Sequence, residues 1–138
     1  MLLPTFDDVF VTVCQKDSTQ ISDEDRCLVQ QEIDQRLQHQ SVDGVIVTHG
    51  TDTLIETATY LANPNHWKAT ARVPILLTGA MRPERFKNSD ADCNLGMAMG
   101  ALQMAAQHFV GVCMHGGVLS YDQADRDLQT GKFIPKAA

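Results

Sequence analysis

Runs of β-branched and aliphatic residues recur along this chain at intervals of about thirty residues, separated by polar turns and helix-like patterns. They are Val9-Phe10-Val11-Thr12-Val13-Cys14, Val45-Ile46-Val47, Val73-Pro74-Ile75-Leu76-Leu77-Thr78 and Val110-Gly111-Val112-Cys113-Met114. This alternation constrains the fold more than any single residue does. Parallel strands need a long crossover between them, and a helix supplies it. The expected class is α/β: a Rossmann-like, mostly parallel sheet with right-handed βαβ units and helices on both faces.

Local signals place the helices. Ser22-Asp23-Glu24-Asp25 resembles a capping box, with Ser22 as N-cap and an acid at N3, and Val29, Ile33 and Leu37 give an apolar stripe running to about Gln40. A second helix follows the turn at Gly50, capped by Thr51 or Asp52, and ends at Pro64, with Trp67 as a packing anchor. A third starts at Ser89 or Asp90 and runs to about Gln107. Leu95, Met99, Leu102 and Ala106 form its stripe, and Gly96 with Gly100 offers a thin face for close packing. Val118 to Ala138 shows weak periodicity and no clear element. No linker or repeat interrupts the chain, so residues 1–138 read as one domain.

Composition narrows the partners. A net charge of −6 with no Lys/Arg cluster disfavours nucleic acid, and no apolar run is long enough for a membrane span. No signal peptide is legible, which makes a cytoplasmic location the default. Cys14, Cys27, Cys93 and Cys113 form no C-x-x-C pair and read as buried, reduced thiols. The five histidines lack zinc-ligand spacing, and no phosphate-binding glycine loop follows any strand. Neither a metal nor a cofactor is expected.

Each strand run ends in a polar or glycine-bearing cluster: Asp17-Ser18, Thr51-Asp52, Gly79-Ala80 and His115-Gly116-Gly117. In a parallel sheet these converge on one edge, where ligands bind in open α/β folds. Hydroxyls, helix N-termini and a carboxylate suit a small zwitterion: Ser18 for an α-carboxylate, Asp52 for an α-ammonium. The pattern alone also allows plainer roles. Thr51-Asp52 serves equally as a helix cap, Asp17-Ser18 as a turn, and His49 as a strand-end residue bonded to backbone. Asp122, Asp125, Arg126 and Asp127 fit a solvated charged face.

A family resemblance shifts that balance. Thr48-His49-Gly50-Thr51-Asp52-Thr53-Leu54-Ile55-Glu56-Thr57-Ala58 resembles the T-H-G-T-D-T-x-x-E-T-A motif of the bacterial-type asparaginase/glutaminase family. Gly79-Ala80-Met81-Arg82-Pro83 resembles its G-A-M-R-P loop, and Ser89-Asp90-Ala91 with Asn94-Leu95 the segment after it. Asp17-Ser18 followed by Ser22-Asp23-Glu24 is similar to its D-S…(T/S)-D-E stretch.

The resemblance implies an N-terminal asparaginase-like domain that hydrolyses the side-chain amide of L-asparagine, or of L-glutamine, to the acid and ammonia. By position, Asp17, Ser18, Gly50 and Ala80 would bind substrate, Ser18 taking the α-carboxylate, Asp52 the α-ammonium, and the Ala80 carbonyl facing the leaving amide. Thr51 would be an active-site threonine in a Thr–Asp–Lys set. The family's lysine falls on Arg126 here, with Lys132 six residues later as a substitute. The family's first strand ends in T-G-G-T-I, which carries its nucleophile. No string here matches it, so the family's first βα unit is expected to be missing. That leaves two expectations: an amidohydrolase domain, or a non-catalytic amino-acid-binding or interaction domain of the same fold. In either case the interrupted sheet is expected to be completed by homo-oligomerisation or by a rearranged N-terminus.

Overall fold

A computed structural model describes residues 11–67, 73–82 and 87–137. The elements in chain order are α1 (Asp23–His39), β1 (Val45–Thr48), α2 (Leu54–Ala62), β2 (Ile75–Thr78), α3 (Ala91–Leu102), β3 (Val110–Met114), β4 (Gly117–Ser120), β5 (Ala124–Arg126) and β6 (Phe133–Pro135). Short 3-10 turns occupy Ser18–Gln20 and Pro64–His66.

The main sheet runs β1-β2-β3-β4. The first three strands are parallel, Val45 level with Ile75 and Ile75 with Val110, and β4 returns antiparallel against β3. Successive side chains of a strand point to opposite faces, which sorts the core. Ile75 and Leu77 join Val112, Leu54, Ala58, Leu61 and Ile33 beneath α1 and α2, whereas Leu76 and Cys113 pack with Ala98 of α3. Helices thus cover both faces, and the α/β expectation holds.

Helix α1 starts as its sequence signal requires. Ser22 Oγ accepts from the Asp25 N–H, and the Asp25 carboxylate accepts the Ser22 N–H at 3.0 Å. The Ser22 N–H, with Lys16 at 2.9 Å, holds the Asp25 carboxyl below its ordinary range. Trp67 does pack against the larger core, donating Nε1 to the Leu61 carbonyl at 2.9 Å.

Several sequence expectations are corrected. Residues 11–14 form no strand, and residues 9 and 10 of the same run lie outside the described residues. A β-branched run becomes a strand only beside a ladder that accepts it, and among the described residues none lies there. Helix α2 is capped by Thr53, not Thr51 or Asp52, and without a side-chain cap bond. Thr53 Oγ1 donates instead to the Ser18 carbonyl at 2.6 Å.

Helix α3 stops at Leu102 rather than near Gln107, because the chain must reverse through His108 (φ 67°) to enter β3 beside β2. Gly96 and Gly100 face open space, with no heavy atom within 4 Å of a Cβ built on either. The buried residues of α3 are Asn94 and Ala98. Apolar residues lie all round this helix, so their spacing does not mark the side that meets the sheet.

The segment after Val118 is ordered into β4 and a β5–β6 hairpin. Strands of three or four residues are too short to display a period. Of the four free cysteines, only Cys113 is buried; Cys93 is exposed and Cys14 and Cys27 are half-buried.

Candidate active site

The polar turns after β1 and β2 meet at the C-terminal edge of the sheet. Two glycines allow their close approach. A Cβ at Gly50 would lie 2.6 Å from the Ser18 Cβ, and a Cβ at Gly79 would collide with the His49 carbonyl oxygen. A side chain at Gly79 would push these two turns apart, and one at Gly50 would push the β1–α2 turn off Ser18.

Ser18 is buried, 5% exposed, against the 50–53 turn. Its Oγ accepts the Asp52 N–H at 3.1 Å and its carbonyl accepts the Thr53 hydroxyl. The hydroxyl proton of Ser18 is therefore available to an acceptor other than Asp52 N. Asp17 turns the other way. Its carboxylate accepts from Thr19 Oγ1 at 2.7 Å and Thr19 N at 2.9 Å, bonds that lower its pKa.

On the opposite side of the turn stands Arg126, the last residue of β5. Its Nη1 donates to the Thr51 carbonyl at 2.6 Å, its Nη2 to Thr51 Oγ1 at 3.2 Å, and its Nε to the Gly131 carbonyl at 3.0 Å. The guanidinium also lies 3.4 Å from Asp52 Oδ1 and 5.2 Å from the Phe133 ring centroid. Planar and fixed by three acceptors, it ties the β5–β6 hairpin to the β1–α2 turn. Lys132 is exposed on the far limb of that hairpin, and no side-chain bond ties it to Thr51 or Asp52.

The candidate residues line two neighbouring concavities. Thr51, Asp52 and Arg126 share one of about 630 Å³ with Glu56, Tyr121 and Asp125. Gly50 and Ala80 share one of about 390 Å³ with Thr48, Gly79 and Asp92. Ser18 and Asp17 line neither, Ser18 acting from beneath the turn. The structure thus joins Ser18, Gly50, Thr51, Asp52 and Arg126 into one contiguous set, places Ala80 across the turn, and leaves Asp17 facing its own loop.

Three residues to which the sequence assigned no role support these loops. Asn94, 2% exposed on α3, donates Nδ2 to the Gly79 carbonyl at 2.9 Å and to Asp90 at 2.8 Å, while its Oδ1 accepts the His115 N–H at 3.3 Å. One amide thereby joins the ends of β2 and β3. Burial pushes the Asp90 carboxyl up, but N–H donation from Met81 and Arg82 outweighs it and leaves the group below its ordinary value. Thr57, buried, meets His49 Nε2 at 2.8 Å and accepts from buried Arg26 Nε at 2.9 Å. Asn94 and Thr57 lie within the family-like motif segments; Arg26 carried no signal beyond its place one turn into α1.

Similarity to known proteins agrees with this architecture. The family described as Asparaginase, N-terminal, matches residues 4–126. A glutaminase-asparaginase of Acinetobacter glutaminasificans is 31% identical over 123 residues, covering 88% of this chain and 35% of that protein. A glutaminase-asparaginase of Pseudomonas aeruginosa is 34% identical over 96 residues, 67% of this chain and 25% of that protein. The crystal structure of a probable cytoplasmic L-asparaginase from Campylobacter jejuni superposes with a TM-score of 0.73 at 29% identity, over 83% of this chain and 35% of that one. The chain spans about a third of the length of the first of these relatives and of this structure. With the match extending over 123 residues, the chain belongs to the asparaginase family and corresponds to its N-terminal domain.

Proposed function

We propose that the Ser18–Asp52 edge binds a small amino acid and that the domain serves side-chain amide hydrolysis of L-asparagine, or of L-glutamine, releasing ammonia. The observation that carries this reading is the packing of Asp52 N–H on Ser18 Oγ at 3.1 Å within a family-matching turn. That bond fixes an exposed carboxylate, Asp52, beside a hydroxyl whose proton is uncommitted to it. A carboxylate pairs with an α-ammonium, and a hydroxyl donor with an α-carboxylate. Thr51 is the candidate second active-site threonine of the family's Thr–Asp–Lys set, its hydroxyl held by Arg126 at the lysine position. Ala80 faces the same turn from the other side and is the candidate neighbour of the leaving amide.

One observation favours a second reading, amino-acid binding without turnover. Arg126 donates to Thr51 Oγ1 and, as a guanidinium, does not accept its proton near neutral pH. A cytoplasmic location and a homo-oligomeric state belong to the first reading. They are supported by the similarity to a probable cytoplasmic enzyme and by the outer edge of β1, which pairs with no strand among the described residues.

Calorimetry with L-asparagine, L-aspartate and L-glutamine, run beside an ammonia-release assay, tests both. Binding with ammonia release that Thr51→Ala abolishes supports hydrolysis. Binding weakened by Asp52→Asn, with no ammonia, supports the second reading. No binding of any of the three overturns both.

A further inference from the structure

His49 lies beneath the 50–52 turn with both ring nitrogens engaged. Nδ1 is 2.6 Å from the Gly50 carbonyl oxygen and Nε2 is 2.8 Å from Thr57 Oγ1. Thr57, 1% exposed on α2, also meets Arg26 Nε of α1 at 2.9 Å. Asp23 pairs with the outer end of that guanidinium at 3.0 Å.

The donor inventory orders these contacts. A guanidinium N–H only donates, so Thr57 Oγ1 accepts from Arg26. The Gly50 carbonyl likewise only accepts, so a neutral ring carries its proton on Nδ1 and offers Nε2 as the acceptor for the single proton of Thr57. The Nδ1 proton is then donated to the Gly50 carbonyl oxygen, the partner of that nitrogen among the described residues.

We propose that Arg26, Thr57 and His49 form a one-way relay of hydrogen bonds that positions the Gly50–Asp52 turn, with His49 held as the Nδ1–H tautomer and acting as a positioning residue rather than a base. The relay grips the turn through the Gly50 carbonyl, while Ser18 grips it from the other side through Asp52 N–H. Thr51 and Asp52 sit between those two anchors. Because Arg26 comes from α1 and Thr57 from α2, the turn is referred to the packing of both helices. Buried partners left unpaired carry their full desolvation cost, so the relay has no inexpensive broken state. The charges that bear on the ring are Arg26 from α1 and Glu56 from α2; burial, the largest influence, together with Arg26 keeps the imidazole neutral against the opposing pull of Glu56 and the Gly50 carbonyl. The consequence for ligand binding rests on the function proposed above; the relay itself does not.

Long-range proton–nitrogen correlation spectra of the nitrogen-15-labelled chain at pH 7 read the tautomer directly, with His49 assigned by the signal lost in His49→Gln. The expected pattern is a protonated Nδ1 and an unprotonated Nε2. Thr57→Val keeps the side-chain shape and removes the hydroxyl. It is expected to release the fixed tautomer and move the Gly50, Thr51 and Asp52 amide signals, and Thr57→Ser to restore both. An Nε2–H or doubly protonated ring in the unaltered protein overturns the relay. So does a folded Thr57→Val whose Gly50–Asp52 amides stay in place. If Thr57→Val fails to fold, Arg26→Gln and the tautomer of the unaltered chain decide. Adding L-aspartate to the same samples separates the two ideas: no response from the unaltered chain counts against the proposed function, while the tautomer and amide signals still judge the relay.

Discussion

Arg126 meets Thr51 twice, through the carbonyl at 2.6 Å and the hydroxyl at 3.2 Å, across 75 residues of sequence. The Arg126 side chain is 22% exposed, and its guanidinium is held from behind by the Gly131 carbonyl. Hydrogen bonds from charged groups contribute roughly 1.5–3 kcal/mol each in measured series, and removing one partner leaves the other unsatisfied. Arg126→Ala is therefore expected to lower unfolding stability by about 1–3 kcal/mol, read as a fall in urea midpoint with an unchanged slope. Arg126→Lys keeps the charge but cannot serve Gly131 and both Thr51 oxygens in the same plane. It is expected to recover part of that stability. By placing an amine that can exchange a proton next to Thr51, it is also expected to raise ammonia release from L-asparagine above that of the unaltered chain. Equal and measurable release from the two would show that charge, not proton transfer, is what this position supplies.

Ser18 fills the space that a side chain on Gly50 would need. A Cβ there would fall 2.6 Å from Ser18 Cβ and 2.7 Å from Ser18 Oγ. Gly50→Ala is expected to destabilise the fold by about 1–3 kcal/mol, the range for overpacking, and to shift the Asp52 amide, which bonds that same Oγ. Ser18→Gly vacates the position. The double variant is expected to be more stable than the sum of the single effects predicts, a coupling that a double-mutant cycle of denaturation curves measures directly. Additive effects would mean that Gly50 answers to some other neighbour.

The parts of the fold legible in sequence were those written in local chemistry. The Ser22–Asp25 capping box, the helix stop at Pro64 and the apolar run Val110–Met114 each occur where their residues indicate. What was misread depended on distant partners. Val11 to Cys14 has strand-like residues but no ladder among the described residues, and Thr53, not Thr51 or Asp52, caps α2, with its hydroxyl turned to the Ser18 carbonyl instead of the helix. The site divides in the same way. The family motif points to Thr51 and Asp52, and the family's lysine position falls on Arg126. Nothing in the sequence around Arg26 indicates that its guanidinium reaches Thr57, 31 residues away. Contacts of that separation follow from helix packing and become visible only in three dimensions.

Acid sensitivity is expected from His49. Burial, the largest influence, lowers its pKa below the ordinary 6.5, and Arg26 of α1 adds to this; the Gly50 carbonyl and Glu56 of α2 oppose it. A group depressed on folding contributes stability that is fully present above its unfolded value and is lost as pH falls through its folded value. Stability is thus expected to decline as pH falls from about 6.5. Asp17, Asp25, Asp90 and Asp127 are also depressed, but their losses begin near 3.8 and below, in a separate window. Urea midpoints at pH 7 and pH 5 provide the check. The unaltered chain is expected to lose more between them than His49→Gln, and equal losses would remove His49 as the cause.

The outer edge of β1 offers a test of assembly. Val45 N–H bonds the Pro74 carbonyl and His49 N–H the Thr78 carbonyl, so the odd-numbered residues of this strand face β2. Ile46 and Thr48 therefore direct their backbone groups outward, where no strand pairs with them among the described residues. Exposed strand edges are templates for pairing with another chain. Proline at Thr48 removes an outward N–H without touching the β1–β2 ladder, and the Thr48 side chain is exposed. If the proposed homo-oligomer forms through this edge, Thr48→Pro is expected to convert it to monomer, by light scattering after gel filtration, with the circular dichroism spectrum retained. An unaltered chain that is monomeric from micromolar to millimolar concentration would refute edge-mediated assembly. An oligomer that survives Thr48→Pro would place the contact elsewhere.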